Sequence, residues 1–566
     1  MADVVNDSIF QGYAYDYTAL PPLAMQKGLP LEELPALDWI WKTTLVALRI
    51  LSNELLGDHE TTRLLVGRAH LGAPSTNEFV ELIRGIWGRL LAATPSERPK
   101  ALADYAGQFR TIALPPSANL LFEDDAFAWW RVAGPNPTVI ARAANAGQLT
   151  NDGLRSIPQF ARDDLEALIA SGRLVIADYR TPLADLENGS NGGVPKFAYK
   201  PVAWFGVPAG AQKLVPLAIL PRDGSELIYA PAAGAESWPW RAAKTIVSSA
   251  DTNHHELIAH LGRTHLFVEP FIVATHLALA DRHPVSLLLR PHFEGTIFIN
   301  WAAVRFLINT GGGVDHLLAG TIQSSKQVAA ESVTGMTFDD AIIPRALGRR
   351  GFDGLVPFAF PYRDDALAVW GAIRDWVASY LAIFFTSDAV VRNDDALQAW
   401  ATLVRAQDGG RVASFPALES VDTLADALSA IIFTASAQHA AVNFPQAAVM
   451  VYTPTMPGAG YASVAEAVAS RSESQWLGTL PPLDMSALQL RITEALGGAH
   501  YTQLGGYALS WFHASGQNAA VEQRLATFRH ALAEIETSIK GRNAGLPAAF
   551  QYPYLQPSQI PQSINI

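Results

Sequence analysis

His254-His255-Glu256-Leu257-Ile258-Ala259-His260-Leu261-Gly262-Arg263-Thr264-His265 decides how this chain is read: four histidines in twelve residues, with apolar, helix-forming sequence on both sides. The zincin pattern, two histidines four apart with Glu after the first, does not fit, because Ala259 stands where the second histidine belongs. The histidines are spaced by five and five. In a regular α-helix, residues five apart point about 140° away from each other, so His260 and His265 could not turn toward one ion. A π-bulge widens the turn, is frequent at functional sites, and brings the two onto one face. The competing reading is a set of buried histidines, each satisfied by hydrogen bonds.

The second half of a metal site lies far along the chain. Ala427 to Ala465 carries no Asp, Glu, Lys or Arg, and much of Ala427 to Tyr452 is apolar. That is long enough to span a bilayer. His439, Asn443, Pro445 and Gln446 would be costly there, which favours a helix buried in the core of a large soluble protein. His439 and Asn443 are four apart and stack on one helix face, where two buried polar groups need a shared partner. His260, His265 and His439 with Asn443 as a weak oxygen ligand make a nitrogen-rich, incomplete shell that needs a carboxylate. Such a donor set with open positions suits non-haem iron better than magnesium or calcium; manganese is the alternative.

Composition agrees with a large core. The 566 residues are 49% hydrophobic and only 17% charged. A formal charge of −12 without a Lys/Arg run leaves no footprint for a phosphate backbone, so no nucleic acid is expected as a partner. Zero cysteines remove disulfides and thiolate ligands, so any metal is held by nitrogen and oxygen. The N-terminus has neither the basic start nor the apolar stretch of a secretory signal, and a cytoplasmic location is expected.

Outward from the histidines, a helical pattern runs from Leu37 to about Leu91, with a second helix around NEFVELIRGIWGRLL. Trp39 and Trp41 either pack at the core's edge or make a peripheral membrane contact. Between Arg173 and Leu220 the pattern turns to short strands, LVIADY, KFAYKPVAWFGV and KLVPLAIL, a small antiparallel element. Helices then dominate to about Arg542: Ser237 to Ala280, Leu367 to Phe385, Val421 to Phe444 and Ala519 to Arg542. Gly311-Gly312-Gly313 is read as a helix terminus and turn, not a phosphate loop. A mainly α, single-domain fold with a minor sheet and two long buried metal-binding helices is expected.

HxxxxHxxxxH running into HLFVEPFIVATH, then His283-Pro284, Pro291-His292, HAAVNFxQ and an isoleucine at the end together resemble the lipoxygenases. The resemblance extends with gaps from about Ala126 to Ile566 and takes in AGPNP, VIADYRT and PQSINI. It implies that His260 and His265, His439 and Asn443, and the main-chain carboxylate of Ile566 hold one iron, whereas His255, His283 and His292 match family histidines that are not ligands. Gln446 would link Asn443 to the pocket; read alone, it is a capping residue. Leu307 matches the leucine that clamps the reacting carbon, and read alone it is core. Ala303 stands where the family has alanine in S-specific and glycine in R-specific members.

The chemistry implied is that ferric iron with a bound hydroxide takes a hydrogen atom from between two cis double bonds of a polyunsaturated fatty acid, and O2 then adds to the radical. The segment AAVMVYTPT is shorter than the plant pattern and lacks its deep-pocket arginine, which favours tail-first insertion and a 13S product from linoleate. The front of the chain departs from plant and animal members, whose N-terminal β-barrel is replaced here by a divergent helical part over residues 1–125. A single catalytic domain over residues 1–566, of compact bacterial type, is expected. Two further readings are a hydroperoxide isomerase on the same scaffold and a silent lipid-binding protein.

Overall fold

The computed structural model describes residues 9–10, 12–35, 37–54, 85, 88, 97–232, 235–497 and 502–565. Most of the helix expected around NEFVELIRGIWGRLL lies outside them, as does Ile566. One main hydrophobic cluster runs from Leu29 to Ile564 and takes in the sheet and both histidine helices. The mainly α architecture is as expected.

The small sheet has five antiparallel strands in the order Ile228–Tyr229, Val215–Leu220, Val202–Gly206, Leu174–Asp178, Ala141–Arg142. Every residue of the Val202–Gly206 and Val215–Leu220 strands is buried, the signature of a sheet covered on both faces. One cover is the helix Asp124–Ala133, whose Phe127 stacks on Phe205. The first histidine helix also leans on the Val215–Leu220 strand.

That first helix begins at Ser237, whose hydroxyl accepts from the Trp240 N–H. It is α-helical over Trp238–His254, a π-helix over His255–Leu266, and α-helical again over Phe267–Ala278. The expected bulge is thus a full π stretch of twelve residues. Pro270 has no N–H for the Leu266 carbonyl and crowds it, and Leu266 is where the stretch ends. A buried polar knot anchors the helix before its π stretch: Asp251 meets Arg131 at 2.5 Å and accepts from Tyr179 and Asn136, each at 2.7 Å.

The second histidine helix runs Val421–Phe433, then a π turn over Thr434–Gln438, then α-helix over His439–Asn443. Its residues from Leu424 to Asn443 are almost all buried in protein, so the uncharged run is core, not a bilayer span. One described helix, Pro361–Phe384, is long and apolar enough to cross a membrane; it packs between Val421–Phe433 and Asn518–Ala544.

Two expectations about the front of the chain need correction. Residues 1–125 are not simply helical: Ile9–Phe10 pairs with Leu29–Pro30 and Tyr15–Asp16 with Met25–Gln26 before the helix Leu37–Glu54 begins. Trp39 and Trp41 also part company. Trp41 is 57% exposed, while Trp39 is buried and donates through its indole N–H to the Asn565 carbonyl at 2.5 Å. Two positions apart on a helix, they face different ways.

The chain's last described residues thread inward. His292 donates to the Gln562 carbonyl at 2.7 Å, Ser563 to Glu294 O at 2.7 Å, and Thr296 to Ile564 O at 3.0 Å. Ser563, Ile564 and Asn565 are fully buried.

Candidate metal centre

In a π-helix the backbone bonds run from i to i+5, so residues five apart stand one above another. His255, His260 and His265 do so, with ring centroids 5.5 Å and then 4.9 Å apart. The wider turn changes the partner of each carbonyl, and the Thr264 hydroxyl donates back to the His260 carbonyl four residues earlier. His439 comes from the second helix. Its Nε2 lies 3.4 Å from His260 Nε2, which lies 3.2 Å from His265 Nε2.

Three imidazole nitrogens at these spacings suit one ion. Metal–imidazole bonds of about 2.1 Å place neighbouring donors about 3 Å apart. Asn300 Nδ2 donates to the His265 carbonyl, so its Oδ1 accepts from His265 Nδ1 at 3.0 Å. The proton is therefore on Nδ1, and His265 Nε2 offers a lone pair to the cluster. Burial pushes His265 down to about 3 and lowers His260, while His439 falls far below its usual value through burial and the two neighbouring rings. All three rings are neutral near pH 7, as metal ligands must be. Hydrogen bonds alone cannot satisfy three neutral nitrogens converging on one point. The donor set fits a cation.

Asn443 is one helical turn past His439, and its amide is oriented by two bonds: Nδ2 donates to Leu496 O at 2.9 Å and Oδ1 accepts from Gln446 Nε2 at 2.9 Å. Gln446 Nε2 also stands 3.5 Å from His260 Nδ1, so Gln446 bridges the two helices' polar groups and is no simple cap. The three family-matched histidines that are not expected to be ligands bond elsewhere. His255 donates to Val442 O at 2.7 Å, His283 meets Asp394 at 3.1 Å, and His292 holds the tail. Ile566 lies outside the described residues.

The cluster opens into an apolar cavity. His260, His265, Ala303 and Leu307 share its wall. Ala303 and Leu307 are the two ends of a third π stretch, Ala303–Leu307, which the sequence did not announce. The helix Leu37–Glu54 closes one side with Trp39, Thr43, Val46, Ala47 and Ile50. No Lys or Arg lines the cavity among the described residues, but Glu256 does. Burial works against the Glu256 charge, yet His255 and His260 beside it hold the carboxyl well below its usual range.

Sequence reasoning assigns no site role to Glu256 once the zincin pattern fails, none to Asn300, and nothing that joins Trp39 to the tail. A lone polar residue within apolar TIFINWA was the available signal for Asn300.

The lipoxygenase family model matches residues 211–549. A linoleate 9/13-lipoxygenase of Pseudomonas aeruginosa is 33% identical over 96% of this chain and 87% of its own length. The chain belongs to the lipoxygenase family. A putative linoleate 9S-lipoxygenase 3 of Oryza sativa subsp. japonica is 30% identical over 77% of this chain, which spans only 56% of that relative. The crystal structure of a coral 8R-lipoxygenase superposes with a TM-score of 0.81 and 26% identity, covering 98% of this chain and 79% of that one. Lipoxygenases are non-haem iron dioxygenases, and this chain is an oxidoreductase of that class. The family's metal is iron, and nothing in the three-nitrogen cluster favours manganese.

Proposed function

We propose that this lipoxygenase holds one iron through His260, His265, His439, Asn443 and the main-chain carboxylate of Ile566, and oxygenates linoleic, linolenic and arachidonic-type fatty acids to S-hydroperoxides. From linoleate the main product is 13S. The observation that carries the reading is three neutral imidazoles converging at the wall of an apolar cavity that also presents Ala303 and Leu307.

Iron, when bound, supplies the one-electron chemistry that removes a hydrogen atom from the doubly allylic carbon. The rest falls to the chain. Leu307 presses the pentadiene toward the histidine cluster, and the Ala303 methyl covers one side of it, so O2 adds from the other. The net change is R–H plus O2 to R–OOH. Orientation follows from charge: a fatty-acid carboxylate finds no Lys or Arg on the cavity wall among the described residues and meets Glu256 near the histidines. Repulsion at the deep end favours a methyl end inside and a carboxylate at the mouth.

Metal analysis of the purified protein, with oxygen uptake and product identification from linoleate and arachidonate, tests this. The expected result is about one iron per chain, a conjugated diene and stoichiometric O2 consumption. Loss of added hydroperoxide without uptake establishes an isomerase instead, and linoleate binding without iron or turnover establishes a lipid-binding protein.

A further inference from the structure

Glu269 lies one turn past His265 on the first histidine helix and is 3% exposed. Its Oε2 accepts from Asn300 Nδ2 at 2.6 Å, and its Oε1 accepts from the backbone N–H of Gln26 at 2.6 Å. Asn300 is the amide whose Oδ1 accepts the hydrogen bond from His265 Nδ1–H. The four groups form a chain: Gln26 backbone, Glu269 carboxylate, Asn300 amide, His265 ring. With two acceptors facing its nitrogen, Glu269 and the His265 carbonyl, the amide has one orientation only.

Among the described residues, no Lys or Arg pairs with Glu269. Burial pushes it up to about 7, against the pull of its two donors. A buried carboxylate without a cationic side chain is costly unless a positive charge lies nearby. One hydrogen-bonded amide and one ring separate it from the converging nitrogens.

We propose that Glu269 is a positioning residue for the metal: through Asn300 it holds His265 in the Nδ1–H tautomer, and the N-terminal strap of residues 12–30 supports it through Gln26. The inference rests on the reading that His265 is an iron ligand. The strap is fitted for the task, since Tyr15 donates to Pro270 O at 2.8 Å and Tyr13 stacks on His276 at 3.8 Å, both on the same helix segment as Glu269. Carboxylates that act on a ligating histidine from behind typically change metal affinity 10–100-fold.

The test compares wild type, Glu269→Gln, Asn300→Ala and the double variant Glu269→Gln/Asn300→Asp. Readouts are iron per chain, the rate of iron loss to a chelator, and the ferric electron paramagnetic resonance signal. Glu269→Gln keeps one acceptor for two donors, so its NH2 opposes either the Asn300 NH2 or the Gln26 N–H and the chain of bonds to His265 is broken at one of its links; about tenfold or faster iron loss and an altered ferric signal are expected. Asn300→Ala should do the same, and it carries the test if Glu269→Gln fails to fold. In the double variant a carboxylate at position 300 accepts the hydrogen bond of His265 Nδ1–H directly and is itself bonded by the amide introduced at position 269, while the His265 carbonyl loses the donor it has in Asn300; iron retention should recover in part relative to Glu269→Gln, which a merely structural role does not predict. Wild type that holds no iron overturns the proposed function itself. Wild type that holds iron, with both single variants matching it in retention and spectrum, overturns this inference alone.

Discussion

Ala303 shares the cavity wall with His260 and His265, so its side chain borders the space where a substrate carbon would meet the metal. A methyl group there costs O2 its approach from one side; glycine opens that side. Ala303→Gly should therefore raise the R product at a shifted carbon, with the R:S ratio changing about tenfold, equivalent to about 1.4 kcal/mol in relative barrier. Chiral chromatography of linoleate and arachidonate products reads this directly, and an unchanged enantiomer ratio removes Ala303 from the argument. At the same scale, the residues legible in the sequence were those with few alternative uses. Four histidines clustered in apolar surroundings point to a metal, although only His260 and His265 of them face the cluster. Glu256, Asn300 and Glu269 were not legible, because a single carboxylate or amide on an apolar helix looks like any helix polar residue until its partner, from another part of the chain, is known.

At the scale of elements, the spacing of five required a departure from the α-helix, and the π stretch over His255–Leu266 is that departure. Its length was not readable, since it is set by neighbours. Pro270 closes one end, and Gly262 lets the helix Ile322–Thr334 come close in the middle. A Cβ on Gly262 would stand 2.0 Å from Ser332 Oγ and 3.1 Å from the Ala329 carbonyl. The hydroxyl can rotate but the carbonyl cannot, so the two helices must separate. Gly262→Ala should cost about 1–3 kcal/mol through overpacking. Because Gly262 lies between His260 and His265, the separation also disturbs their stacking. The expected outcome is a thermal midpoint lower by a few degrees at fixed scan rate, with reduced iron per chain. A midpoint equal to wild type would show that the helices yield without strain.

Over the whole molecule, both ends of the described chain converge on the first histidine helix and its neighbours: the strap at Glu269 and Pro270, the tail through His292, Thr296 and Trp39. The class of fold was legible from helical periodicity, but this convergence was not, since it joins residues more than five hundred positions apart, as Trp39 and Asn565 do. The tail's hold is sensitive to acid. His292 is neutral and buried, donating from Nδ1 to Gln562 O and accepting at Nε2 from the Tyr507 hydroxyl at 2.6 Å, and burial pushes it down to about 4. Its unfolded value is about 6.5. Between pH 6.5 and 4 the unfolded chain therefore binds the extra proton and the folded chain does not, so stability falls as pH falls through that window, by about 3 kcal/mol from this residue alone. Protonation would place an Nε2–H against a hydroxyl already accepting from Trp376 at 3.3 Å. His254 and His276, lowered by burial to about 3 and about 4, add to the same acid limb. His292→Gln removes one of these contributions and leaves the others. Its unfolding midpoint should lie below wild type at pH 7, and the gap should narrow as pH falls to 4. Parallel midpoint curves across that range would mean that His292 does not titrate with unfolding, and that acid reaches the tail by another route.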